Sequence, residues 1–104
     1  MTRIEIDDLP ADPLAAAGSM HLRWLPMIVA TLEDGHDVLI VLPAADHTHR
    51  EWRRAVVGAL ARAHAPRRIN IATGEGAELH AIESYLRSAA GVTGQYLEAN
   101  GAVT

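Results

Sequence analysis

Residues 38–42 read Val-Leu-Ile-Val-Leu, an unbroken aliphatic run straight after the turn sequence Glu33-Asp34-Gly35-His36-Asp37. A strand wetted on one face alternates apolar and polar residues, whereas a run with no polar position must be covered on both faces. The run therefore predicts a central parallel strand with helices above and below it.

The neighbouring segments supply the covering elements. Arg3 to Asp7 alternates strictly and predicts a short strand with one charged face. Asp12-Pro13 reads as an N-cap followed by proline at the first helical position. A helix from Leu14 to about Leu32 follows, which Gly18 and Pro26 should weaken or bend. Its apolar residues form two stripes, Leu22/Leu25/Val29/Leu32 and Met20/Trp24/Met27/Ile28, which predicts cover on two sides. A second helix is expected from about Thr48 to His64, with Trp52, Val56, Ala59, Leu60 and Ala63 on one face. Ala65-Pro66-Arg67-Arg68 ends it, and Ile69 to Ala72 forms the next strand. Thr73-Gly74-Glu75-Gly76 turns into a helix from about Ala77 to Ala89, with Leu79, Ile82 and Leu86 inward. Gly91 suits a left-handed C-terminal cap, and Gly94 to Ala99 closes as a last strand. Strands alternating with helices predict an α/β domain with about four mostly parallel strands and three helices.

Composition narrows the functional classes. The 104 residues suit one domain and contain no cysteine, so neither disulfides nor thiolate metal sites are available. A formal charge of −4 opposes general nucleic-acid binding. Arg50, Arg53, Arg54, Arg62, Arg67 and Arg68 nevertheless crowd the middle, either as a solvated helix face or as a patch for phosphate or an acidic partner. No apolar run approaches the roughly 20 residues of a membrane span. The acidic start lacks the organisation of a signal peptide, so a soluble cytoplasmic protein is expected.

The segment Asp46-His47-Thr48-His49-Arg50-Glu51 holds the densest chemistry. His-x-His at a strand end beside an aspartate resembles metal-ligand pairs of hydrolases. His36 and His64 lie too far along the chain to complete such a set, so no metal is expected. Thr48-x-x-Glu51 also reads as a capping box, with Asp46 favoured by the positive helix end. Thr73-Gly74-Glu75-Gly76 fits an ordinary strand-to-helix turn more readily than a phosphate cradle. Tyr85 and Tyr96 read as packing residues.

Arg53 to Gly74 (RRAVVGALARAHAPRRINIATG) and Tyr85 to Gly101 (YLRSAAGVTGQYLEANG) resemble the second half of the short-chain dehydrogenase/reductase family. In that family a long helix leads through an Ala-Pro-Arg segment to a strand carrying an Asn. A later helix gives way to a Val-Thr-Gly-Gln turn and a last strand, here Val92 to Gln95 and Leu97 to Gly101. Leu22 to Ile28 resembles the family's preceding helix, proline included. The resemblance implies a three-layer half-Rossmann. It also implies a four-helix contact between chains, and hence a homodimer or larger homo-oligomer through Leu22, Trp24, Leu25, Ile28, Trp52, Val56, Val57 and Leu60.

The departures from the family bear on activity. The catalytic Tyr-x-x-x-Lys aligns, through Ala55 to Gly58, onto His49 and Arg53, and the chain has no lysine. The loop from Pro43 to His47 has no serine, Thr73 replaces a proline, and the glycine-rich dinucleotide fingerprint does not occur. A proton relay needs an acid held near its working pKa. Histidine and arginine could provide one in part, but no bound cofactor is expected. Two readings follow. One is a non-catalytic, Rossmann-like scaffold subunit that joins itself or a dehydrogenase-like partner, with the Arg50/Arg53/Arg54 face open to an acidic protein. The other is an oxidoreductase-like enzyme using His49 and Arg53, its nucleotide site completed by another chain.

Overall fold

A computed structural model describes residues 1–99; Asn100 and Gly101, which the resemblance assigns to the last strand, lie outside the described residues. Strands β1 (Thr2–Glu5), β2 (Val38–Leu42), β3 (Ile69–Thr73) and β4 (Tyr96–Glu98) form one sheet in the order β1-β2-β3-β4. Every pairing is parallel. Helices α1 (Pro13–Ser19) and α2 (Leu25–Glu33) form one bent helix, joined by a π-helical segment at Met20–Trp24. It connects β1 to β2, while α3 (Arg50–His64) connects β2 to β3 and α4 (Gly76–Ser88) connects β3 to β4. The four-stranded α/β sheet expected from the alternation of segments is the fold adopted, and it is consistent with the half-Rossmann that the resemblance implies.

Strands β2 and β3 are buried at every position, as an uninterrupted aliphatic run requires. Val38, Ile40, Leu42, Ile69 and Ile71 pack with Met20, Ile28 and Leu32 of the bent helix and with Val57 and Leu60 of α3. On the opposite face Leu39, Val41 and Ala72 meet Leu79 and Leu86 of α4. Each fully buried aliphatic side chain contributes roughly 1.5–3 kcal/mol, so the doubly covered strands anchor the sheet. The first two crossovers pass over one face and the third over the other, although the chain steps across the sheet in one direction. The third is therefore of the opposite hand. The strong preference for right-handed crossovers makes β3–α4–β4 the left-handed one.

The bent helix departs from the expected cover on two sides. Pro26 has no N–H and its ring crowds the carbonyl of Leu22, so the regular ladder cannot run through it. The turn widens instead, and the Leu25 N–H donates to the Met20 carbonyl. Counting back two and four regular turns of 3.6 residues from Ile28 would put His21 and Leu14 against the core. The core instead takes Met20 and Ala16, both 0% exposed, while Leu14 and Leu22 stand 83% and 81% exposed. The two apolar stripes thus mark one inward face before and after the wide turn, with Leu22 and Met27 of the stripes left outside.

Two smaller expectations also shift. The inner face of α3 is Arg53, Val56, Val57, Leu60 and Ala61, whereas Ala59 and Ala63 point to solvent. The left-handed glycine after α4 is Gly94, at φ 74°, and not Gly91. A Cβ on Gly94 would sit 3.1 Å from the Ala61 Cβ, so close approach to α3 selects that position.

The amino end of the sheet is closed by Arg68. Its backbone N–H donates to Asp37 Oδ1 at 2.8 Å and its Nε to Oδ2 at 3.2 Å. Its Nη1 donates to the carbonyls of Leu86 and Ala89 at 3.0 and 2.9 Å, where the last turn of α4 leaves acceptors free. Burial pushes the Asp37 carboxyl up, but the Arg68 hydrogen bonds and the charges of Arg68 and Arg67 hold it below its ordinary value. Among the described residues no helix is long and apolar enough to cross a membrane.

Candidate functional site

The chain leaves β2 through Pro43 and enters α3 by a single 3-10 turn, His47–His49. Asp46 caps that turn, its Oδ1 accepting from the Thr48 N–H at 2.9 Å and from the Thr48 hydroxyl. The Thr48 bonds hold the Asp46 carboxyl below its ordinary value, against a small opposing effect of burial and with help from His47 and His49. The expected Thr48–Glu51 capping box does not form. Helical winding starts a residue earlier than expected, so the aspartate takes the cap and the threonine hydroxyl turns back towards it.

His49 and Arg53, the pair expected from the resemblance to stand at the family's tyrosine and lysine, come together in one cleft of about 270 Å³. Leu9, Pro10, Ala11, Pro43, Ala44, Ala45 and Asp46 complete its wall. Both side chains are nearly closed off, at 8% and 3% exposure. The Trp52 indole N–H donates to His49 Nδ1 at 3.1 Å, and Nε2 lies 2.9 Å from the Ala11 carbonyl oxygen. A neutral ring protonated on Nε2 satisfies both contacts at once. Arg53 Nη1 donates to the Pro43 carbonyl and to the Tyr96 hydroxyl, each at 3.0 Å. The guanidinium also lies over the rings of Trp52 and Tyr96, 5.6 and 5.8 Å from their centroids.

Tyr96, expected as a packing residue, and Glu98, which no motif singles out, belong to the same site. Two residues apart on β4, they share a face, and the Tyr96 hydroxyl donates to Glu98 Oε2 at 3.4 Å. The other oxygen of Glu98 pairs with Arg50 at 3.3 Å. Period-two spacing on the last strand was the available signal. Burial pushes the Tyr96 hydroxyl above its ordinary value and Glu98 adds to that, while Arg53 pulls the other way. Of the four unpartnered buried side-chain atoms among the described residues, Arg50 Nε, Arg53 Nε and Thr73 Oγ1 belong to the same end of the sheet; the fourth is Trp24 Nε1, on the bent helix.

Asp46, His47 and His49 do not converge as ligands. His49 uses both ring nitrogens on protein partners, and among the described residues no group of three metal-capable side chains forms. In the turn after β3 one glycine is packed against the chain and the other is open, since a Cβ on Gly76 would meet nothing within 4 Å. A Cβ on Gly74 would come within 2.7 Å of the Ala99 Cβ, so the protein itself fills the space that this glycine opens. Open α/β sheets take ligands in the crevice beyond the carboxyl ends of their strands. Here that crevice is lined by Glu5, Asp7 and Glu75 together with Ile6, Val41, Leu42, Pro43, Ala44 and Gly74. The carboxylates make it hostile to a pyrophosphate.

The residues expected at a contact between chains divide into two groups. Ile28, Val56, Val57 and Leu60 are buried in the chain's own core. Leu22 is exposed, and Trp24, Leu25 and Trp52 are half-buried.

The fold agrees with the family comparison. The chain matches the family model described as short chain dehydrogenase-like protein over residues 4–99. No curated protein and no solved structure matches it. With nearly the whole described chain covered by the family model, this protein belongs to the short chain dehydrogenase-like family.

Proposed function

We propose that this chain is a non-catalytic, Rossmann-like subunit that works by associating with a second copy of itself. One observation carries the reading. His49 and Arg53 are buried and bonded to Ala11, Trp52, Pro43 and Tyr96, so the positions of the family's proton relay act as struts between α3 and the sheet. A general acid must present its proton to a substrate atom, and the Nε2 proton of His49 is directed at a backbone carbonyl. The acidic crevice beyond the strands supports the same reading, because it repels the phosphates of a dinucleotide.

The exposed leucines Leu14 and Leu22, with Met27 at 43% exposure, give the bent helix an apolar outer face. That face suits a second copy better than an acidic protein. Of the arginines considered for an acidic partner, Arg53 is buried and Arg50 is paired with Glu98, which leaves Arg54 exposed by itself.

Sedimentation equilibrium of the purified chain at micromolar concentration, with NAD(P)H titrated to millimolar, tests the proposal. The expected result is a mass of two or more chains with no saturable cofactor binding. A monomer throughout overturns the self-association. Saturable NAD(P)H binding that is lost in Arg53→Ala overturns the non-catalytic reading in favour of an oxidoreductase.

A further inference from the structure

Of the arginines, Arg53 alone is buried, at 3% exposure. Arg3, Arg23, Arg50, Arg68 and Arg87 each pair with a carboxylate. Arg53 pairs with none among the described residues, although an unpaired charge costs most where it is deepest. Glu98 reaches it only through the Tyr96 hydroxyl and is itself engaged by Arg50.

A guanidinium has five N–H donors. Nη1 commits two to the Pro43 carbonyl and the Tyr96 hydroxyl, and Nε is closed off without a partner. Nη2 makes no hydrogen bond among the described residues and is not one of the closed-off atoms. Its two N–H groups are therefore the part of Arg53 that reaches the cleft. Leu9, Pro10, Ala11, Pro43, Ala44 and Ala45 surround it with apolar wall. His49 has both ring nitrogens engaged, and the exposed Asp46 stands at the rim.

We propose that this cleft binds a small monocarboxylate with an apolar body, its carboxylate accepting from Arg53 Nη2 and its body lying against Leu9, Pro10, Ala44 and Ala45. The open cation selects the anionic end, because a charge-assisted hydrogen bond is about twice as strong as a neutral one. The apolar wall selects the rest of the guest. Asp46 and Glu98 limit it to one charge, since a dianion such as phosphate or a dicarboxylate would be repelled by both. At about 270 Å³ the cleft lies below the roughly 300–1,000 Å³ of ordinary ligand pockets, so the guest is small. Binding is the whole event. The His49 proton stays on the Ala11 carbonyl, so the inference leaves the non-catalytic reading as it stands and does not depend on self-association.

Nuclear magnetic resonance of the isotope-labelled full chain, titrated with butyrate at constant ionic strength, tests the site. The Trp52 indole N–H, which donates to His49 beside the Arg53 guanidinium, should shift saturably together with the Ala44 and Ala45 amides. Butyrate should bind at least about fivefold more tightly than acetate, because it buries two more methylenes. Butyramide, its uncharged counterpart, should bind at least about tenfold more weakly. Arg53→Met should abolish the shifts, with urea unfolding as the check that this variant folds. Asp46→Asn keeps a good helix cap and removes the rim charge, so affinity should rise about threefold. Shifts lost in Arg53→Met and strengthened in Asp46→Asn support the site. No saturable shift up to roughly 50 mM butyrate overturns it. Butyramide binding as tightly as butyrate, or unchanged binding in a folded Arg53→Met, overturns it too. An affinity unmoved or weakened in Asp46→Asn does the same even if Arg53→Met does not fold. Phosphate or succinate binding more tightly than butyrate overturns the monocarboxylate class.

Discussion

Two arginines hold opposite ends of the sheet in contrasting ways. Arg68, at the amino end, meets a carboxylate with its backbone and side chain and caps α4 with two further bonds, to the Leu86 and Ala89 carbonyls. Arg53, at the carboxyl end, is the more deeply buried, yet it has a carbonyl, a phenol and two aromatic faces in place of a carboxylate. Its Nε has no partner. A buried cation without an anion is costly. A residue selected only for stability would be expected to look like Arg68. Arg53 instead has its charge spread over rings and a hydroxyl. The amino end is held by a paired charge, and three of the unpartnered buried polar atoms lie at the carboxyl end.

The largest effect expected from this contrast is on folding free energy. Arg68→Met should cost roughly 2 kcal/mol, since it strands Asp37 and the final carbonyls of α4. Arg53→Met, which replaces an unpaired charge by an apolar side chain of similar length, should stay within about 1 kcal/mol of the wild type. Urea unfolding of the two variants decides the matter, and an Arg53→Met cost larger than that of Arg68→Met breaks the comparison.

Acid sensitivity comes next. Asp37 has a folded pKa below its unfolded value, so its contribution is fully present above the unfolded pKa and is lost as pH falls through the lower folded one. Stability should therefore drop on acidification below about pH 4, and Asp37→Asn should flatten that drop. A wild-type profile already flat there would remove the carboxylate from the account of the amino end.

The smallest effect belongs to Tyr96, whose folded pKa lies above the ordinary one. What it contributes is present below about pH 10 and disappears as pH rises through the folded value. Ultraviolet titration should show a late tyrosinate component that Tyr96→Phe removes. A Tyr96 that ionised early would mean that Arg53, and not burial, governs that end.

Much of the architecture was legible because it rests on local pattern. Val38 to Leu42 announced a doubly covered strand, and Asp12-Pro13 announced a helix start that the Asp12 carboxylate caps through the Ala15 N–H. Leu79 and Leu86 faced inward as their spacing implied. Misreadings arose where one interaction displaced another of similar size. Asp46 outcompeted Thr48 for the cap, since a charged acceptor makes the stronger hydrogen bond. Gly94 took the left-handed position because α3 lies against it, a contact that no sequence window contains. At the site, the alignment brought His49 and Arg53 to one cleft. Their partners Ala11, Pro43 and Tyr96 come from three other segments of the chain, so only the fold could reveal that the pair is already occupied.

The wide turn ahead of Pro26 lets the chain carry one residue more than even winding needs while the buried positions on either side keep their places. Deleting a residue between Met20 and Trp24 together with Pro26→Ala should let the helix wind evenly with Ala16 and Ile28 still inside. Length at this point is therefore decoupled from the packing of the interior.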